Sequence, residues 1–201
     1  DLQLVTNVGI LLVSYLFGSI PFGLLVVRLT NGKDIRTVAS GRTGGTNAFR
    51  AAGLGAGIFT ALLDILKAAL TVWLARSINP DTVLIHILAP VAAVLGHNHS
   101  IFLPERTPKG VLRLRGGAGG AAAFGGTLGL WPPAVFFMLP VGILLWWGVG
   151  YASVTTLSVG LITMVVFSIR ALLGLSPWEY VLYGFLVQIL LTLALLPNIR
   201  S

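Results

Sequence analysis

The chain has 201 residues, of which 56% are hydrophobic and 9% charged, with no cysteine and a formal charge of +7. Soluble domains carry about 25% charged residues, so this balance, with a mean hydropathy of +0.93, excludes a water-soluble globule and predicts an all-α integral membrane protein. The lack of cysteine removes disulfide frameworks, thiolate nucleophiles and thiolate metal sites, and in a membrane protein the basic excess reads as loops facing anionic lipid, not as nucleic-acid binding.

In chain order, a first apolar segment runs from about Leu4 to Leu29 and contains GSIPFG, Gly18 to Gly23. Pro21 predicts a kink there, and the glycines predict close approach by another backbone. Nothing is charged from Leu2 to Val27, a stretch longer than the roughly 7–15 residues of a signal-peptide core. A polar stretch follows, Thr30 to Arg50, ending near Gly53 to Gly57. Segment two spans about Ile58 to Leu74 and carries Asp64 and Lys67; segment three, about Thr82 to Leu95, is short and holds Pro90. Gly96 to Gly126 is the longest polar interruption. Segment four, about Gly119 to Leu130, is mostly Gly and Ala and is broken by Pro132-Pro133. Segments five (about Ala134 to Val149), six (Ser153 to Leu173) and seven (Trp178 to Leu196) complete the chain. A bilayer crossing needs about 20 apolar residues. Segments three and four are therefore expected to be lengthened by loop residues or to be partly re-entrant. Trp131, Trp146, Trp147, Tyr151, Trp178 and Tyr180 fall near segment ends, as interfacial anchors do. No solenoid-type repeat shows in the spacing.

Seven segments predict one polytopic domain over residues 1–201. With the N-terminus outside, Arg28, Lys33, Arg36, Arg42, Arg50, Arg106, Lys109, Arg113, Arg115 and Arg200 lie inside. Only Arg76 and Arg170 lie outside, and Lys67 is within a segment. This basic asymmetry places both polar loops and the C-terminus on the cytoplasmic face.

Two stretches have phosphate-binding chemistry. In SGRTGGTN, Ser40 to Asn47, the Ser40 and Thr46 hydroxyls, the Asn47 amide and backbone N–H groups can wrap a phosphate, with Arg42 or Arg50 adding charge. An ordinary loop with a helix N-cap explains the same residues. In RGGAGGAAAFGG, Arg115 to Gly126, glycines lead into a helix N-terminus, an anion site; close helix packing by small residues also accounts for its Ala-rich half. No G-K-[ST] follows the glycines, so this is not a P-loop. Asp64 and Lys67 share one helical face, as a self-neutralising structural pair or as a substrate contact. His86 reads as a packed residue. His97 and His99, flanking Asn98, lack the carboxylates of a metal site and suit loop anchoring or substrate binding. No His-x4-Asp dyad and no G-x-S-x-G elbow occurs.

GSIPFG, SGRTGGTNAFR, LLDILK and GHNHSIFLP with its following glycine loop come in the order and spacing of a known family. The chain resembles the bacterial acyl-phosphate:glycerol-3-phosphate acyltransferases along essentially its whole length. The resemblance implies seven transmembrane helices, an outside N-terminus, a cytoplasmic active site at the bacterial inner or plasma membrane, and no cofactor or metal. It implies transfer of a fatty acyl group from acyl phosphate to the 1-hydroxyl of glycerol 3-phosphate, giving lysophosphatidate and phosphate. The family's first loop reads SGN-x-G-A-T-N. Here Arg42 replaces the Asn and Gly45 the Ala, while Ser40, Thr46, Asn47 and Arg50 match. Its second loop reads F-K-G-G-K-G-V-A-T. The preferred register sets Arg115 to Gly119 on K-G-G-K-G, so Ala118 replaces a lysine after an insertion near Glu105 to Arg113. An ungapped register sets Lys109-Gly110-Val111 on K-G-V instead. Of a C-terminal H-R-E-N-I only Asn198 and Ile199 remain.

The residues assigned to catalysis are Ser40, Arg50, Lys109, Arg115 and Asn198. Those assigned to substrate and phosphate binding are Gly41, Thr46, Asn47, His97, Asn98, Gly116, Gly117 and Gly119. Segments four to seven are expected to hold the acyl chain, with membrane lipids around them. A transporter of an anionic solute, or a weakened homologue that only binds phosphate or lipid, are the alternatives.

Overall fold

The structure, a computed structural model, describes residues 2–199, the side chains of 197–199 excepted. Helix α1 (Leu2–Ser19) leads into α2 (Phe22–Asn31). Pro21 has no N–H to donate, and the Phe22 amide turns back to the Ile20 carbonyl at 3.0 Å, so the expected kink is a full break between two helices. Next come α3 (Gly45–Ala52), α4 (Leu54–Ile78) and α5 (Val83–Asn98). A hairpin of β1 (Pro104–Arg106) and β2 (Leu112–Leu114) precedes α6 (Gly120–Leu130), α7 (Val135–Val149), α8 (Ala152–Leu172) and α9 (Glu179–Ile199). The spans Leu2–Asn31, Leu54–Ile78, Pro132–Val149, Ala152–Leu172 and Glu179–Leu196 are long and apolar enough to cross a membrane; α5 and α6 are apolar but shorter.

Helix α5 sits centrally, packed by α1, α4, α6 and α9. The main core joins Val72 of α4, Ile87 and Val94 of α5, Ala122 of α6, Phe167 of α8 and Tyr183 of α9. Lipid offers apolar side chains as much as a neighbouring helix does, so helices associate in membranes through close backbone approach. A Cβ added at Gly18 would lie 2.1 Å from the Ala93 carbonyl oxygen, and one at Gly125 would lie 2.1 Å from that of Ile65. These glycines let α1 meet α5 and α6 meet α4. The Gly/Ala content of α6 is thus a packing surface. Helix α7 lies at the edge, and its Phe136, Leu144 and Trp147 face outward.

The two polar loops meet at one end of the molecule. The Thr43 amide donates to the Gly116 carbonyl at 3.4 Å and the Arg115 amide to that of Leu103 at 3.0 Å. At the opposite end, Asn79, just after α4, donates to Asn7 of α1. Within the first loop Asp34 caps the turn Ile35–Thr37. The residues read as an insertion form the hairpin, with Glu105 opposite Arg113. Gly110, at φ 76°, turns it. Helix α3 and the hairpin are additions to the expected helical segments.

Candidate functional site

A cavity of about 580 Å³ lies among α3, α4, α6, α7 and α8. Three helices start on it: Gly45 to Asn47 open α3, Gly120 and Ala121 open α6, and Ala152, Ser153 and Thr155 open α8, all lining the space. The first N–H groups of a helix have no partner within it, and its dipole favours negative charge there. Three such termini around one cavity make an anion-binding end. Arg42, Arg50 and the Ser40, Thr46 and Thr156 side chains line the same end, whereas Ile58, Ile65, Phe124, Met138, Ile143 and Val159 line the rest. One compartment therefore has a basic, polar end and an alkyl-lined end. At its rim Phe49 meets Trp146 edge to face, ring centroids 6.0 Å apart.

The sequence-assigned residues divide. Ser40, Thr46, Asn47, Arg50, His97 and Gly119 line the cavity. Asn47, however, is 3% exposed, and its amide nitrogen donates to the carbonyls of Ile35, Val38 and Arg42 at 2.8–3.1 Å. It closes the first loop, which leaves its donors committed away from a ligand. Arg115 is turned from the cavity: it pairs with Glu105 at 3.3 Å, and its guanidinium lies where a Cβ on Gly41 would stand. Gly41, with φ at 65°, thus accommodates Arg115 and joins the loops. Gly116 and Gly117 press on the His97 and Asn98 backbone and the His97 ring, and Asn98 donates to the Leu190 carbonyl at 3.3 Å. Lys109 is exposed at the hairpin tip, away from the cavity lining. The Asn198 side chain lies outside the described residues. Helix α4 also supplies Ile58 and Ile65 to the alkyl-lined wall, and among the described residues α9 reaches the cavity through Leu195.

Sequence reading missed residues that the fold brings in. Ser153, Thr155 and Thr156 line the cavity from the start of α8; hydroxyls one turn into a segment preceded by Gly150 are the signal that was available. Arg42, already read from the sequence with Arg50 as a source of charge for a phosphate, donates to the Ala194 carbonyl of α9 while facing the cavity. Burial first, and the charge of Arg113 second, hold its guanidinium below the ordinary arginine pKa.

Beneath the polar end lies a buried cluster. Lys67 Nζ contacts Asp64 Oδ1 at 2.9 Å, His97 Nδ1 at 3.0 Å and the Ile20 carbonyl at 3.0 Å. His97 Nδ1 also lies 3.4 Å from Asp64 Oδ1, so the three side chains form one buried group. The Nε2 edge of the His97 ring faces Gly117. Because Ile20 precedes Pro21, its carbonyl sits at the helix break. The cluster therefore ties α4 to the α1–α2 junction, to α5 and to the glycine loop. Asp64 and His97 also line the cavity.

The family profile for glycerol-3-phosphate acyltransferase matches residues 8–201. The chain is 38% identical over 169 residues to a glycerol-3-phosphate acyltransferase of Thermus thermophilus, covering 84% of this chain and 78% of that protein. It is 36% identical over 207 residues to one of Dehalococcoides mccartyi, covering 95% and 89%. Its fold is similar to the crystal structure of PlsY, an integral membrane glycerol 3-phosphate acyltransferase, in the glycerol 3-phosphate form. That comparison gives a TM-score of 0.80 and 26% identity over 97% of this chain and 90% of the other. The lysophosphatidic acid form gives a TM-score of 0.76 at 25% identity.

Proposed function

The chain belongs to the glycerol-3-phosphate acyltransferase family, and we propose that it transfers a fatty acyl group from acyl phosphate to the 1-hydroxyl of glycerol 3-phosphate. The observation that carries this reading is the single cavity with an anion-binding end, built from three helix N-termini and two arginines, that continues into an alkyl-lined end. Acyl phosphate is already activated, so no covalent enzyme intermediate is needed. The glycerol oxygen attacks the acyl carbon, the bond from that carbon to the phosphate oxygen breaks, and the hydroxyl proton leaves with phosphate. Lysophosphatidate and phosphate result. The protein aligns the hydroxyl and offsets charge that develops on the carbonyl and leaving oxygens. Ser40, Thr46, Arg50 and the Gly119 turn form the phosphate cradle, while Arg115, Gly116 and Gly117 hold the second loop in place. The chain is a single domain with seven crossings, the two short helices α5 and α6 included. Its N-terminus is outside and its active site faces the cytoplasm at the bacterial inner membrane, with lipid against α7.

Purified protein given acyl phosphate and labelled glycerol 3-phosphate should form labelled lysophosphatidate, and acyl-CoA should be a much poorer donor. Equal use of acyl-CoA, or passage of label into sealed vesicles without acylation, would overturn the assignment. The cysteine-free chain makes orientation easy to read. Lys33→Cys and Lys109→Cys, both exposed, should label from the cytoplasmic side, and the exposed Ser77→Cys from the other. Labelling of Lys33→Cys and Lys109→Cys from opposite sides would defeat the shared site.

A further inference from the structure

Among the described residues, two guanidinium groups line the cavity, and both come from the first loop and α3: Arg50, exposed on α3, and Arg42, half-buried. The second loop contributes Ala118 and Gly119 to the lining but no charge; its Arg115 is engaged by Glu105, and its Lys109 stands at the hairpin tip. A site for two phosphate-bearing substrates concentrates negative charge where water screens poorly. Arg42 and Arg50 are the cations that the described residues bring to this cavity. We propose that Arg42 binds a phosphate group of the reactants, supplying from the first loop the positive charge that the glycine loop lacks at Ala118.

The side chain is built for this. The Arg42 carbonyl accepts from Asn47 at 2.8 Å, which fixes the backbone. The guanidinium donates to the Ala194 carbonyl, which fixes its far end beside the cavity. Arg113 stands near enough to repel it, and burial strips it of water. Arginine presents a planar set of donors that matches phosphate oxygens.

The proposal rests on the acyltransferase reading, so its test carries a readout that does not. In Arg42→Gln the charge is gone while a hydrogen-bond donor remains on the side chain. The expected result is a rise of at least about tenfold in KM for one phosphate-bearing substrate, the loss typical of a charged hydrogen bond. Which KM rises, that for glycerol 3-phosphate or that for acyl phosphate, names the phosphate held. Ala118→Lys, placed in the same cavity, should recover a large part of that loss in the double variant. Inorganic phosphate should raise Tm in the native chain and do so less in Arg42→Gln, a difference that stands even if the chain proves not to be an acyltransferase. Unchanged KM values for both substrates overturn the proposal. So does a lower Tm with activity that Ala118→Lys does not restore, since Arg42 would then serve only to tie the loop to α9. If Arg42→Gln does not fold, Ala118→Lys alone decides: it should enlarge the phosphate-induced Tm shift, and an unchanged shift means that no phosphate reaches this end.

Discussion

At Asn47 one amide side chain gathers three carbonyls of the first loop. Thr46, its neighbour, is thereby left facing the cavity at the start of α3. A sequence displays the amide and the hydroxyl side by side but not which of them turns inward, so both read equally as ligands. Asp34 organises the other side of the same loop. Its carboxylate accepts from the Arg36 amide at 2.9 Å and pairs with the Arg36 guanidinium at 2.7 Å. The Arg36 hydrogen bond is the main reason its pKa falls to about 2. A carboxyl depressed on folding contributes stability that is complete above its unfolded pKa near 3.8 and is lost as pH falls through the folded value. The amides of Arg36 and Thr37 should therefore lose hydrogen-exchange protection between about pH 4 and pH 2. Asp34→Asn, which keeps an oxygen for the Arg36 amide, should flatten that dependence. A wild-type profile already flat over this range would show that the pair does not hold the loop.

Among the elements, those set by long apolar runs were legible in the sequence. Segment two, for example, was expected at Ile58 to Leu74 and extends to Leu54–Ile78, since an apolar run continues as helix until backbone groups can be capped. Helix α3 was not legible. Eight residues give barely two turns of periodicity, and GTNAFRAA begins with loop-forming types. The three-residue strands are likewise too short to show alternation, although Pro108 and Gly110 around Lys109 carry a turn signature. The Asp64–Lys67 pair was legible as a shared face, but its third member, His97, and its tie to Ile20 come from the packing of α5 and from the helix break. Both charges are 1% exposed, so removing one strands the other. Asp64→Asn should cost about 3–5 kcal/mol, read as a large fall in Tm in detergent. Replacing both, as Asp64→Leu with Lys67→Leu, should be milder than Asp64→Asn alone, because no uncompensated charge remains. A double variant as unstable as the sum of its parts would mean that the two charges do not compensate each other.

For the whole molecule, the edge helix α7 decides what the cavity can hold. Met138, Gly142 and Trp146 lie four residues apart on one face of α7, joined by Leu139 and Ile143, and all five line the cavity. The helix is bound mainly to α8 and to the turn before it, so it forms one wall of the alkyl compartment without belonging to the dense core around α5. A Cβ at Gly142 would meet nothing within 4 Å, which is the open volume an acyl chain would fill. Gly142→Phe should thus fold without strain and gain helix propensity over glycine, yet occupy part of that volume. Burial of each methylene is worth about 0.8 kcal/mol, so excluding two of them costs about 1.6 kcal/mol, roughly a 15-fold change in preference. In a series of acyl phosphates, KM for the longest chains should rise by about that factor while the shortest are spared. Gly148→Phe is the control: its added side chain also meets no neighbour but lies outside the cavity lining, and it should leave the ranking unchanged. Equal loss for every chain length in Gly142→Phe would place the acyl chain elsewhere, and the compartment between α4 and α7 would not be its binding site.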